Sequence, residues 1–333
     1  MRSVLILVLC LVGSVAASAA ESCPGNPDAL GTSRTLTISP ADFARIGSMQ
    51  YTQTLPLEDH EVVITFDDGP IPPYTNAVLD ALAAQCVKAT YFLVGEMAKA
   101  YPSIVRRIYN AGHTIGTHSQ NHPFRFQRLS MDKAESQVST GIESVDAALG
   151  DPKALSPFFR IPGLGRTDAL ESYLASKSIV TWSADVVADD WKHIKASEIT
   201  RRAMRRLEEK GRGILLLHDI HPATVLAVPT LLKELKARGY RVVQVVAAGE
   251  RPDQLPELLG APEYNKEGWP RIVKANVTRA APDKAALRHR ATKDAGAKRR
   301  RLAVHSAGDG TGAGSPRPPQ RGLACSYPGW CSR

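Results

Sequence analysis

What this chain of 333 residues lacks narrows its chemistry first. Its five cysteines include no Cys-x-x-Cys pair, so nothing argues for a thiolate metal site. The longest apolar stretch, Val4 to Val12, falls short of the roughly 20 residues that a bilayer span requires. No glycine-rich phosphate loop follows the first core strand, which argues against an open, doubly wound nucleotide-binding sheet. No internal repeat is evident. The chain also lacks a charge excess where it would matter. The formal charge is +9, from 42 Lys+Arg against 33 Asp+Glu, but residues 251–333 hold 16 of the former and 7 of the latter, leaving 26 against 26 before them. Nucleic-acid binding is therefore not implied for the body of the protein.

What is present suits an exported globular protein. Hydrophobic residues make up 43% of the chain, enough for a substantial core. Arg2, the apolar run Val4 to Val12 and the small residues Ala17-Ser18-Ala19 predict a signal peptide over 1–20, hence a secreted or periplasmic protein with no membrane span after cleavage. Four cysteines then remain, in three possible pairings: Cys325 with Cys331 is the cheapest closure, and Cys86 reads as a buried apolar residue rather than a bridge. Residues 21–56 lack clear periodicity and read as an N-terminal extension. Residues 251–333 form a basic tail, with Lys298-Arg299-Arg300-Arg301 as its densest run, expected to be largely disordered. It reads either as a solvated tail or as a cationic arm for anionic envelope polymers.

Between these flanks, seven short apolar runs alternate with helical patterns. The runs are Val62 to Phe66, Ala89 to Val94, Thr114 to Gly116, Phe158 to Ile161, Ile179 to Trp182, Ile214 to Leu217 and Arg241 to Val246. Helices are expected over Asn76 to Ala84, Pro102 to Asn110, Met131 to Leu149, Thr167 to Ser176, Ser197 to Lys210 and Val225 to Arg238. This alternation predicts an α/β fold, a distorted (β/α) barrel with about seven parallel strands. Asp67, Asp68, His118, Arg160, Asp185, His218 and Asp219 all fall at or just after the C-terminal end of a run, the face on which such barrels build their sites.

Two adjacent carboxylates at the end of a buried strand raise each other's proton affinity unless a positive group neutralises one of them. A divalent ion does this. His118 and His122, four apart and expected to share one face of a helical turn, complete with Asp68 a two-histidine, one-carboxylate set suited to Zn2+ or Co2+ with open positions.

Five motifs, in order, give the chain a resemblance to the polysaccharide deacetylases with a nodulation-protein-B homology domain, carbohydrate esterase family 4. They are Thr65-Phe66-Asp67-Asp68-Gly69, His118-Ser119-Gln120-Asn121-His122, Arg160-Ile161-Pro162-Gly163, Asp189-Asp190-Trp191 and Leu215-Leu216-Leu217-His218-Asp219. The resemblance covers about residues 57–250 and implies hydrolysis of acetyl groups on a sugar polymer, such as chitooligosaccharide or peptidoglycan. It further implies that Asp68, His118 and His122 hold the metal, that Asp67 is the general base, and that Arg160 orients it. His218 would be the acid, paired with Asp190; a backbone N–H near Tyr74 would meet the oxyanion; and Trp191 with Leu217 would cup the acetyl methyl. The segment 183–191 is longer than the family's usual spacing, so Asp185 and Asp189 compete with Asp190 for the pairing with His218. His113 reads as structural and His221 as a substrate contact. The competing readings are an O-acetyl xylan esterase, a non-catalytic carbohydrate-binding protein on the same barrel, and an interaction protein acting through its tail.

Overall fold

Ten parallel strands and seven α-helices alternate along residues 23–248, the part of the chain that the computed structural model describes. The expected signal at 1–20, the basic tail at 251–333, Cys325 and Cys331 lie outside the described residues. The strands are β1 (Arg34–Ile38), β2 (Arg45–Ile46), β3 (Glu61–Asp67), β4 (Thr90–Leu93), β5 (Thr114–Thr117), β6 (Phe158–Arg160), β7 (Val180–Trp182), β8 (Val186–Val187), β9 (Gly213–His218) and β10 (Arg241–Ala247). The helices are α1 (Tyr74–Ala83), α2 (Gly95–Ala100), α3 (Pro102–Asn110), α4 (Met131–Leu149), α5 (Asp168–Ser176), α6 (Ala196–Lys210) and α7 (Pro222–Ala237). Among the described residues, no helix is long and apolar enough to cross a membrane.

All seven expected strands are present, and β3 is their hub. It pairs with β9 over Val62 to Asp67, with β4 over Thr65 to Asp67, and with β10 at its first two residues. The ladder continues from β4 through β5 and β6 to β7. The run 180–187 then pairs with β6 through β7 and with β9 through β8, so the sheet curls back toward β3 as a distorted (β/α) barrel. No single ladder joins β7 to β9.

Strand alternation sorts the core into two layers. Val62, Ile64 and Phe66 face outward beneath the helices, together with Tyr91, Leu93, Ile115, Leu215 and Leu217. Val63, Phe92, Phe158, Val180, Trp182 and Ile214 fill the interior. Helix α4 shows how the outer layer is closed. Ala134, Val138, Gly141, Val145, Ala148 and Leu149 recur at helical spacing and are buried, and Gly150 ends the helix in a left-handed conformation.

The extension is more than a leader into the barrel. Strand β1 pairs with β10 and β2 pairs with β7, so residues 34–46 widen the sheet. Cys86 is likewise corrected from a buried apolar residue to one half of a disulfide with Cys23. The cause is the docking of residues 26–32 on the end of α1. Asn26 Nδ2 donates to Ala84 O (2.8 Å), Leu30 N to Gln85 Oε1 (3.0 Å) and Gly31 N to Gln85 O (2.8 Å), which brings together cysteines 63 residues apart.

Candidate active site and metal centre

The site is built at the C-terminal ends of β3, β5, β6 and β9. Along β3 the inward positions are Val63, Thr65 and Asp67, so Asp67 enters the barrel by strand period alone. Asp68 would point outward, but its positive φ of 77° turns the chain and brings its carboxylate back to the same mouth. The histidines converge differently from the expected helical turn. His118 follows β5 directly, and Ser119 (φ 69°) and His122 (φ 50°) make a loop of two left-handed residues that folds the second imidazole beside the first. Their ring centroids lie 5.0 Å apart.

Asp68 Oδ1 is buried, has no hydrogen-bond partner, and faces His118 Nε2 at 3.3 Å and His122 Nε2 at 3.5 Å. One donor atom from each of the three residues lies within 4.8 Å of the others. His118 Nδ1 is 2.7 Å from Arg160 O and must carry the proton there, since a carbonyl only accepts; Nε2 is thereby left with its lone pair toward Asp68. Burial pushes the Asp68 carboxyl up, but positive charge on the imidazoles of His118, His122 and His218, wherever these carry a second proton, outweighs it and holds the group well below the carboxylate range. Burial lowers His122, favouring the neutral form that a ligand needs. An orphaned, ionised oxygen facing two imidazole nitrogens fits a divalent ion of the zinc type.

Asp67 is differently placed. Its Oδ1 accepts from Arg160 Nη1 at 2.6 Å, and its Oδ2 is 3.8 Å from His118 Nε2. Arg160 is fully buried, donates also to Thr65 Oγ1 (2.8 Å) and Ser183 O (2.9 Å), and lies 4.3 Å over the Phe92 ring. Burial lowers its pKa while Asp67 holds it charged. The support reaches back to the N-terminal segment: Ser183 N donates to Ile46 O at 2.7 Å, so β2 is two hydrogen bonds from the guanidinium.

Across the ladder, His218 is the register partner of Asp67. Of the three competing carboxylates, Asp190 pairs with it. Asp190 Oδ1 is 2.9 Å from His218 Nδ1, and Oδ2 accepts from His218 N and from Thr224 Oγ1, both at 2.7 Å. Asp189 instead binds Arg202, Arg206 and Lys192, and Asp185 accepts from Ser48 N, Thr54 Oγ1 and Ile214 N. Burial pulls the His218 imidazole down, but Asp190, with Asp68 and Asp67 behind it, pushes it up to about 10.

Tyr74 opens α1, where helix N–H groups have no intrahelical partner. Trp191 is 41% exposed, its ring 5.8 Å from that of His218, so it is no core residue. Leu217 does not join the site. The pleat of β9 puts Ile214, Leu216 and His218 on one face and turns Leu217 outward into the helix-covered layer, so Leu216 occupies the position expected of Leu217. His113 is a satisfied core residue, its Nδ1 accepting from Ala89 N at 3.1 Å, whereas the His221 ring stands 5.8 Å from that of His218. Sequence reading gave no role to Thr65, Ser183 or Thr224, and put Asp219 on the site face without one. Asp219 is buried, accepts from Thr75 Oγ1 at 2.6 Å, and is pushed up to about 7, chiefly by burial.

The polysaccharide deacetylase family profile matches residues 55–181. A peptidoglycan-N-acetylglucosamine deacetylase of Bacillus cereus is 34% identical over 211 residues, which span 60% of this chain and 72% of that protein. The chain belongs to the polysaccharide deacetylase family. A chitooligosaccharide deacetylase of a Bradyrhizobium strain is 30% identical over 197 residues, 54% of this chain and 87% of that family member. The peptidoglycan deacetylase structure from Bdellovibrio bacteriovorus superposes with a TM-score of 0.58 at 31% identity, over 67% of this chain and 61% of the other. Against the longer PgdA deacetylase of Listeria monocytogenes, the chain spans 38% of the relative's length.

Proposed function

We propose that this deacetylase hydrolyses the N-acetyl group of N-acetylglucosamine in peptidoglycan or chitooligosaccharide, releasing acetate, with a divalent ion, Zn2+ or Co2+, held by Asp68, His118 and His122. The observation that carries the reading is the split between neighbouring carboxylates: Asp68 presents an unpartnered oxygen to two imidazoles, while Asp67 is fixed by Arg160. When bound, the ion supplies Lewis acidity toward the acetyl carbonyl and the attacking water.

The chain's own residues do the rest. Asp67 takes the proton of the attacking water, and Arg160 keeps the accepting oxygen aimed. The Tyr74 N–H donates to the carbonyl oxygen as negative charge gathers on it. An amine departs only once protonated, and His218, kept charged by Asp190 to about pH 10, supplies that proton. This favours an amide over an ester substrate, since an ester's alkoxide leaving group depends less than an amine on being protonated as it departs. Trp191 and Leu216 shape the space for the methyl group. We place the protein outside the cytoplasm, on its signal-like first 20 residues and on the cell-wall polymer in its relatives' names. The basic tail is proposed as a contact for anionic envelope polymers.

The test is acetate release from peptidoglycan, chitooligosaccharides and acetylated xylan, before chelation, after it, and with Zn2+ or Co2+ restored. Release from an N-acetyl polymer that chelation abolishes and metal restores is expected. Release from xylan alone would replace the reading with the esterase, and no release with metal bound would favour a binding protein.

A further inference from the structure

We propose that Phe124, backed by Arg125, is a stacking platform for the sugar next to the one deacetylated, and that Arg125 and Arg128 select glycans whose neighbouring sugar carries a carboxylate. This rests on the deacetylase reading and names the substrate class within it: an acidic, muramic-acid-containing glycan rather than neutral chitin.

Among the described residues four large apolar side chains are strongly exposed: Met49, Phe124, Trp191 and Leu226. The two aromatic ones sit on loops that carry the site. Trp191 follows Asp190, and Phe124 comes two residues after His122, which keeps their Cα atoms within about 7.6 Å. Phe124 is 87% exposed, and its loop enters from β5, while the Trp191 loop lies on the opposite flank of β3. A glycan passing from one aromatic to the other crosses the Asp67–Asp68 centre.

Phe124 is held out, not left loose. Arg125 takes a left-handed conformation (φ 68°) and its guanidinium lies 5.5 Å from the Phe124 ring centroid. Phe126 is then buried against Phe159, with ring centroids 6.4 Å apart, and Arg128 N bonds back to Arg125 O at 2.9 Å. The apolar C–H face of a pyranose ring complements such a ring face, as a charged surface would not.

The charge on this side is positive and organised. Gly165 packs so closely on the Gln127 side chain that a Cβ would collide with it, which interlocks the Arg166 loop with the Phe124 loop. Arg166 is fixed by Glu171 at 3.0 Å, a carboxylate shared with Arg45 at 2.9 Å, and has Asp168 at 3.9 Å, so this set is neutral and the exposed Arg125 and Arg128 carry the charge of the rim. The preceding 250 residues are balanced overall, which makes this rim a local feature. A lactyl carboxylate on the adjoining sugar meets it; chitin offers no such group.

The experiment compares KM for GlcNAc–MurNAc glycan strands, for chitotetraose and for a small acetyl ester too short to reach the platform. Wild type is expected to show the lower KM on the acidic strands, with the gap closing as salt is added. Phe124→Ala, and Phe124→Leu as the variant that keeps bulk, should raise KM on both glycans by about tenfold with kcat within about twofold. Arg128→Ala, which leaves the Arg125 support of Phe124 in place, should raise KM by about fivefold on the acidic strands alone. Unchanged KM in the Phe124 variants, a parallel loss on the small ester, or an equal effect of Arg128→Ala on both glycans would overturn the proposal. If wild type hydrolyses none of the three, the deacetylase reading has failed separately. Calorimetric titration with the acidic glycan then decides: weaker binding by Phe124→Ala supports the platform, and equal binding refutes it.

Discussion

Replacing Gly47 by alanine should cut turnover although Gly47 is neither a proposed metal ligand nor the proposed base. A Cβ at this position would lie 2.7 Å from both Ser183 C and Ala184 N, against 3.4 Å or more for an ordinary contact, so the 183–184 peptide or β2 must give way by about 0.7 Å. Ser183 O is the acceptor for Arg160 Nη2 at 2.9 Å, and a shift of that size stretches the bond to as much as about 3.6 Å, past the range of a useful hydrogen bond. Arg160 then loses one of its anchors while still bound to Asp67. Misplacing a catalytic group by about 1 Å can cost as much as a hundredfold, so kcat is expected to fall about 10- to 100-fold with KM within about threefold. A non-glycine residue at φ 112° adds strain of about 1–3 kcal/mol, equivalent to a few degrees in Tm. The assay is acetate release with bound metal, Tm and circular dichroism measured on the same protein. Arg34→Ala is the control, since it breaks the Arg34–Glu61 pair in the same N-terminal segment without touching the Ile46–Ser183–Arg160 chain. Wild-type kcat in folded Gly47→Ala, or a loss matched by Arg34→Ala at equal destabilisation, would refute the reasoning.

Asp190→Asn removes the charge that carries His218 up to about 10, while burial continues to pull the imidazole down. The alkaline limb of the rate profile should therefore move to lower pH, and a limb that stays put would argue against His218 as the acid. Because the His218 pKa is raised on folding, the pair's stabilisation is complete below about 6.5 and is lost as pH rises toward about 10; the Tm difference between wild type and variant should shrink over that window. Leu216→Ala should lower kcat/KM, whereas Leu217→Ala should cost about 2–5 kcal/mol of stability in the outer core with less effect on folded-state kinetics. Reversed outcomes would put the acetyl cup on the other face of β9.

The barrel was legible because its strands are short apolar runs bounded by polar strand ends, a pattern fixed by burial on both faces. Strands β1 and β2 were not. Arg34–Ile38 alternates weakly at an edge and Arg45–Ile46 has only two residues, so both exist through pairing with distant strands. The three residues that could hold a metal were legible as a group, but not the path of the loop that joins the histidines, which depends on positive φ at Ser119 and His122 rather than on helical spacing. The choice of Asp190 over Asp185 and Asp189 rests on Thr224 and the His218 N–H, 34 and 28 residues away, where local spacing carries no information. The Leu217 error was avoidable: counting back by two from His218 along a pleated strand reaches Leu216. The Cys23–Cys86 bridge was beyond local reading, because it follows from hydrogen bonds between residues 26–32 and the end of α1.

The most direct test of the account is metal content and acetate release measured together on Asp67→Asn and Asp68→Asn. Asp67→Asn should keep the ion at wild-type stoichiometry and lose release by about 10²- to 10⁴-fold, while Asp68→Asn should lose the ion and the activity together. Equal loss of metal in both, or turnover retained in Asp67→Asn, would contradict the division of labour between the two carboxylates.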